Sequence, residues 1–313
     1  MKKQLSLIFL AFSFFMNAQV GDYYIPTNKT DLVRNELKGN VKSTQTTTWK
    51  MVEKFGEPEK TSKVKVIEGL YLKNGYYEKL IFTGDEYDGK YTYTYLYNKK
   101  EQLEEIKAPP LKTFPTRYTF IYNDEGKLIE KNQYDKRNNL SYKDKYKYDK
   151  YGPISIAQYK GDGSLYRKKV YEWNSNSQKI SEDEYGSKDE PLKMKTYAYN
   201  NNGDVSWFKE LEHEEGKGIT DYKYEYIYNS KNQKVKTISN YDGYITERAY
   251  YYDSEGSLIK KSKKSGKETS FTVEEEFTYT YDSNGNWTKE LRQFLNDAKE
   301  KTFELREREI KYW

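Results

Sequence analysis

Tyr281-Asp282-Ser283-Asn284-Gly285-Asn286-Trp287 is one of a set of near-copies spread along this chain, and a unit of this kind can fold in few ways. Clear copies begin at Tyr122 (ending at Leu128), Tyr148 (Ile154), Tyr199 (Val205) and Tyr252 (Leu258). Degenerate ones begin at Tyr97 (Leu103), Trp173 (Ile180) and Tyr228 (Val235), the last two longer by one residue. The anchors at 97, 122, 148, 173, 199, 228, 252 and 281 lie 24 to 29 residues apart. Asn or Asp after the aromatic opens a turn by bonding its own backbone, and Gly four residues after the aromatic supplies a positive φ, as in a hairpin loop of four or five residues. Before the anchors, residues alternate: Tyr222, Tyr224, Tyr226 and Tyr228 share one face while Lys223 and Glu225 take the other. Tyr91 to Tyr97 and Phe277 to Tyr281 behave likewise, and period two is the mark of a strand.

Weaker turns fall midway, at Tyr134 to Leu140, Tyr159 to Leu165 and Tyr241 to Tyr244. The reading is an all-β chain: a long antiparallel meander of tandem hairpins in one twisted or curled layer, an open half-barrel or a short spiral. Residues 19–90 form a divergent N-terminal β cap and 91–313 the array. Within the cap a short helix is expected at Lys29 to Leu37, a long strand at Val41 to Val52, and turns at Gly56-Glu57-Pro58 and Lys73-Asn74-Gly75. The proline-rich stretch Lys107 to Pro115 is read as a loop. The last strand, Thr302 to Trp313, carries the Glu, Arg and Lys that an edge strand needs to resist pairing with a neighbour.

Charged residues are 33% of the chain and the mean hydropathy is −1.12, values that suggest disorder until the 35 Tyr, 13 Phe and 5 Trp are counted. Tyrosine buries a ring while its hydroxyl stays wet, so a sheet can be held by Tyr without an aliphatic composition. Lys2 and Lys3, the apolar run Leu5 to Met16, and Ala18 read as a secretory signal over residues 1–18, with Gln19 the first mature residue. The run is too short for a membrane span, so the mature chain is expected to have no transmembrane segment. There is no Cys, hence no lipid-anchor cysteine. The protein is therefore expected in the periplasm or outside the cell. Loss of Lys2 and Lys3 leaves a formal charge of +3 from +5, too little to argue for nucleic acid.

Tyr279 to Trp287, Tyr250 to Leu258 and Tyr146 to Ile154 resemble the YD repeat of the rearrangement hotspot (RHS) family, over roughly residues 91–295. Leu37 to Ser43 resembles the entry strand of small exported bacterial proteins with such repeats. In large RHS and teneurin proteins the repeats spiral into a hollow shell around a toxin or other domain. This chain is too short for a full shell and shows neither a toxin domain nor an autoproteolytic motif. The resemblance implies hairpin-sheet architecture and an envelope or surface setting, and it transfers no active site.

Chemistry-bearing residues are few. No Cys and a single His, His213, exclude thiol catalysis and multi-histidine metal sites. His213 reads as a solvated turn residue. Glu182-Asp183-Glu184 and Glu274-Glu275-Glu276 read as solvated charge runs, with a carboxylate glycosidase as the unfavoured alternative. Asp282 to Asn286 fails the EF-hand pattern, because its Gly comes two positions early and its twelfth residue is Gln293. An outer-membrane barrel is disfavoured by strands mostly shorter than about nine residues. Glu307, Glu309 and Lys311, on the face of Trp313, argue the same way. No cofactor or metal is expected. What remains is a non-enzymatic exported protein that binds protein or glycan partners through aromatic sheet faces, with Trp207 and Trp287 as candidate stacking residues. The second reading is an immunity-like or assembly partner of an RHS-type system.

Overall fold

The computed structural model describes residues 30–84, 89–109, 115–214, 218–295 and 300–313. The export signal read at residues 1–18 lies outside these, as do residues 110–114 of the proline-rich stretch. Seven of the eight anchor turns share one geometry. At Tyr281 the Asp282 N–H donates to the Asn286 carbonyl (2.9 Å) and the Gly285 N–H to the Asp282 carbonyl (3.0 Å). Asp282 Oδ1 accepts from the N–H groups of Asn284 and Asn286, both at 2.9 Å. Gly285 sits at φ +76°, the left-handed residue that closes a type I turn with a G1 bulge. Glu101, Ser177 and Asn232 hold the same place in the degenerate copies, at φ +59°, +57° and +62°. Trp173 pairs with Lys179 and Tyr228 with Lys234, the same offset as Tyr281 with Trp287, so these turns are not longer. Their return strands simply start one residue before the aliphatic side chain. The shorter copy is the one at Tyr148, which pairs with Pro153.

The turns join twenty strands: β1 (Val41–Lys54), β2 (Glu57–Tyr71), β3 (Tyr77–Gly84), β4 (Lys90–Tyr97), β5 (Leu103–Lys107), β6 (Arg117–Tyr122), β7 (Leu128–Tyr134), β8 (Leu140–Tyr148), β9 (Pro153–Lys160), β10 (Leu165–Trp173), β11 (Lys179–Tyr185), β12 (Pro191–Tyr199), β13 (Val205–Glu214), β14 (Gly218–Tyr228), β15 (Lys234–Tyr241), β16 (Tyr244–Tyr252), β17 (Leu258–Ser265), β18 (Thr272–Tyr281), β19 (Trp287–Leu295) and β20 (Lys301–Tyr312). Every consecutive pair is antiparallel, and β5 and β6 pair across the proline-rich loop. The sheet does not end in free edges. β1 pairs with β20 from Val41 opposite Tyr312 to Lys50 opposite Glu304, which closes the meander into a twenty-stranded barrel. The expected half-barrel or spiral is thus corrected: twist accumulated over twenty strands brings the first and last together. The charges on β20 are not edge protection, because Arg306 faces Glu290 of β19 and Thr48 of β1.

The anchor aromatics tie each hairpin to the one before. The hydroxyls of Tyr97, Tyr122, Tyr199, Tyr228 and Tyr252 donate to the carbonyls of Tyr77, Leu103, Lys179, Val205 and Lys234, at 2.6 to 2.9 Å. Trp173 does the same with its indole N–H to the Pro153 carbonyl at 2.8 Å. Each acceptor is the first residue of the preceding return strand. Six of the eight sequence anchors use a ring-tip donor in this way, Tyr281 donates to Asp253 Oδ2 instead, and all eight are Tyr or Trp, never Phe. Tyr228→Phe is expected to lower stability by about 0.5–1.5 kcal/mol, the net worth of one such bond, read as a shift of the urea midpoint at unchanged slope.

Alternation sends the Tyr rows inward. Tyr93 and Tyr95 of β4 are buried while Leu96 is exposed, and Tyr118 and Phe120 of β6 are buried while Ile121 is exposed. With Ile106, Leu128, Tyr146, Ile156 and Tyr171 these form one core on the inner face of β3 to β10. A circular barrel of twenty strands would be roughly 40 Å across at ordinary spacing and tilt, and its wall would be wet. Yet the inward Lys131 side chain on β7 is fully buried (0% exposed). This arc is packed, whereas inward residues of β11 to β19 are mostly half-buried.

Residues 30–40 cross the seam at the end that carries the anchor turns. Instead of the expected helix over Lys29 to Leu37 there is a single turn, α1 (Asp31–Arg34), capped by Thr30. Asp31 Oδ2 accepts the Tyr77 N–H at 2.7 Å, and burial raises the Asp31 carboxyl above its usual range against that bond and Arg34. Further along, the Lys38 N–H donates to Asn286 Oδ1 at 2.7 Å, so the segment bridges the β2–β3 and β18–β19 turns over the seam.

Candidate functional site: the inner wall of the barrel

Strand register places a belt of charges inside the barrel. On the packed arc Lys131 lies 3.8 Å from Asp144, which also accepts Gln158 Nε2 at 2.7 Å. Next along the wall, Lys169 meets Glu182 (3.6 Å) and Glu184 (3.2 Å), and Lys195 meets Glu210 (3.2 Å). Glu182-Asp183-Glu184 is therefore not a solvated block: alternation turns Glu182 and Glu184 inward and leaves Asp183 on the other face. The run Glu274-Glu275-Glu276 is divided differently, because the pairing of β17 with β18 skips Glu274 between Val273 and Glu275, and both Glu274 and Glu275 line the lumen. Glu276 stands opposite Lys260.

The wall opens into two adjoining cavities on the seam side of the barrel. One, of about 640 Å³, lies against β1 to β3 and β17 to β20, and Asn35 and Leu37 line it at the anchor-turn end. The other, of about 970 Å³, lies toward the opposite end, against β15 to β19. They share Lys261, Glu275 and Arg292. Glu275 accepts from Lys261 Nζ and from Arg292 Nη2, each at 2.8 Å. Burial works against its ionisation, but these two bonds hold its carboxyl below the usual range. Arg248 Nε donates to Glu274 at 3.1 Å. Lys263 makes no ion pair among the described residues. Arg308 lies over the Trp287 ring at 3.5 Å and donates to Thr46 Oγ1 at 3.4 Å. Burial, ahead of the opposing pull of Tyr71, brings its guanidinium down to about 10.

No protein-family model matches the chain, and no curated protein matches it. Among solved structures it is similar to the TcdB2-TccC3-Cdc42 crystal structure (11% identity, TM-score 0.42, 80% of this chain). It is also similar to a Tc holotoxin pore of Photorhabdus luminescens (12% identity, TM-score 0.39, 80% of this chain). It spans about 15% of the length of both toxin chains. A porin-like protein of Bacteroides uniformis is similar over 88% of this chain and 99% of that one, at 9% identity and a TM-score of 0.38.

The two candidate stacking residues are not brought together. Trp207 pairs with Ala198 and Glu225 on the outer face and lines a groove of about 600 Å³ with Lys209, Asp221 and Lys223. Trp287 faces inward with its ring covered by Arg308. His213 sits within β13 opposite Ile219, not in a turn, because the strand runs to Glu214. The Asp282 loop is accounted for by its hairpin bonds. Among the described residues no three His, Cys, Asp or Glu side chains are grouped to hold a metal.

The outer face is charged at mid-strand: Lys209, Lys223 and Glu225 on β13 and β14, and Glu307 and Glu309 on β20. Among the described residues eleven of the twenty strands have nine residues or more, contrary to the expected lengths, so length does not decide against a membrane barrel. A lipid-facing band must be apolar, and these charges oppose it. No helix among the described residues is long and apolar enough to cross a membrane.

Proposed function

We propose that this chain is a non-enzymatic, exported binding protein whose binding surface is the inner wall of the barrel between β15 and β3, across the seam. The observation that carries the reading is the pair of adjoining cavities. The same inward face that is packed shut on β3 to β10 is here left open and lined with charged and aromatic side chains. Cavities of several hundred Å³ with convergent polar groups are the usual form of a binding site. The absence of chemistry is supported by the wall's carboxylates. Glu275 and Glu182 are both half-buried, yet Lys and Arg partners hold their carboxyls below the usual range. A glycosidase acid must keep its proton instead. Export is supported by the signal-like N-terminus, and an RHS-type origin by the repeat and its G1-bulge turns.

The test places a bulky side chain at the mouth. Thr272→Trp at the lip is expected to abolish retention of the wild-type ligand from fractionated envelope polysaccharide and protein. Lys209→Glu, on the outer groove beside Trp207, is expected to leave it intact. Loss in Lys209→Glu with retention in Thr272→Trp would move the site to the outer face and overturn the proposal.

A further inference from the structure

The larger cavity has a composition that selects among ligands. Among the described residues five cations line it against three carboxylates, and five against two line its neighbour. Glu275 is shared by two of those cations, and Lys263 is unmatched, so the wall has positive charge to spare. At the lip Tyr244, 58% exposed, lines the cavity; Tyr241, its partner across a two-residue turn, packs its ring against Tyr222 at 4.9 Å. No cation lies over either ring among the described contacts, whereas Tyr250 deeper in is covered by Lys234 at 5.1 Å. Ser265 and Thr272 add hydroxyls, and the only aliphatic side chains in the lining are Val273 and Leu295. An apolar peptide anchor would find no pocket here. A flat open ring at the entrance, then hydroxyls, then ammonium and guanidinium groups suit a sugar chain whose C–H faces stack and whose carboxylates are paired.

We infer that the cavity of β15 to β19 binds an acidic polysaccharide, a polymer of carboxylate-bearing sugars entering end-first past Tyr244. This rests on the proposal that the inner wall is the binding surface. The experiment titrates the mature full chain with oligogalacturonate, its methyl ester and poly-L-glutamate by calorimetry at low and high salt. Oligogalacturonate is expected to bind, to weaken at least tenfold on esterification, and to weaken steeply with salt. Lys263→Glu, which breaks no ion pair, is expected to cost at least tenfold. Tyr244→Ala is expected to weaken the sugar polymer with its circular dichroism unchanged. Equal binding of the ester, or no binding of oligogalacturonate, would overturn the inference. So would tighter binding of poly-L-glutamate, which would make the ligand an acidic peptide. If oligogalacturonate binds and Thr272→Trp does not block it, the inner-wall reading itself fails; an ester that binds and is blocked leaves that reading standing.

Discussion

Asp144→Ala should destabilise the barrel by about 3–5 kcal/mol, the cost of leaving a buried charge without its partner. Lys131 is completely buried and Asp144 almost so, with side chains 0% and 4% exposed. Lys131 also lies over the Tyr118 ring at 5.6 Å, and Asp144 holds Gln158. Truncating the carboxylate removes the counter-charge, and the ammonium cannot reach water without opening the packed arc. The double variant Lys131→Met with Asp144→Leu should recover most of the loss, since apolar side chains of similar size remove both desolvation costs. Urea titration of the three variants checks this. A single variant within about 1 kcal/mol of wild type would mean that water reaches Lys131 and the arc is not packed.

Removal of β20 is expected to have the other large effect. Without residues 301–313, β1 and β19 lose the partner that joins them, and two long strands become edges. The truncated chain should appear as oligomer or aggregate in light scattering, where the full chain is expected to be monodisperse. A monodisperse truncated chain with undiminished β signal in circular dichroism would show that closure contributes little.

How far these features could be read in advance depends on the distance over which each is decided. The turns were legible because their chemistry lies within five residues: Asp282 supplies the acceptor and Gly285 the conformation. The meander followed, since hairpins join neighbours. Closure was not legible, because it depends on Val41 meeting Tyr312, and nothing local to either marks the other. The Tyr rows were visible as rows, but not as the inner side of a barrel. The inner wall was hidden for a related reason. Glu275 gains meaning only from Lys261 and Arg292 on the flanking strands, and register decides that pairing. A charge run such as Glu182-Asp183-Glu184 looks uniform in sequence, yet a period of two sends its members to opposite environments. The Trp residues failed as a pair for the same cause: Trp207 and Trp287 occupy opposite faces.

The seam has a consequence for how such chains can change in length. Trp313 donates its N–H to the carbonyl of Asn40 at 3.0 Å, so the first and last strands meet as neighbours of opposite direction. Antiparallel closure of this kind is a parity condition, met only by an even number of strands. A repeat contributes two strands, so duplication or loss of one keeps the parity and lets the ring reclose. A half-repeat would bring parallel strands to the seam and leave it unmatched. Circumference is therefore quantised in steps of roughly 12 Å, about 4 Å in diameter, at ordinary spacing and tilt. Relatives built on the same unit should differ in girth by whole repeats, each retaining its own seam.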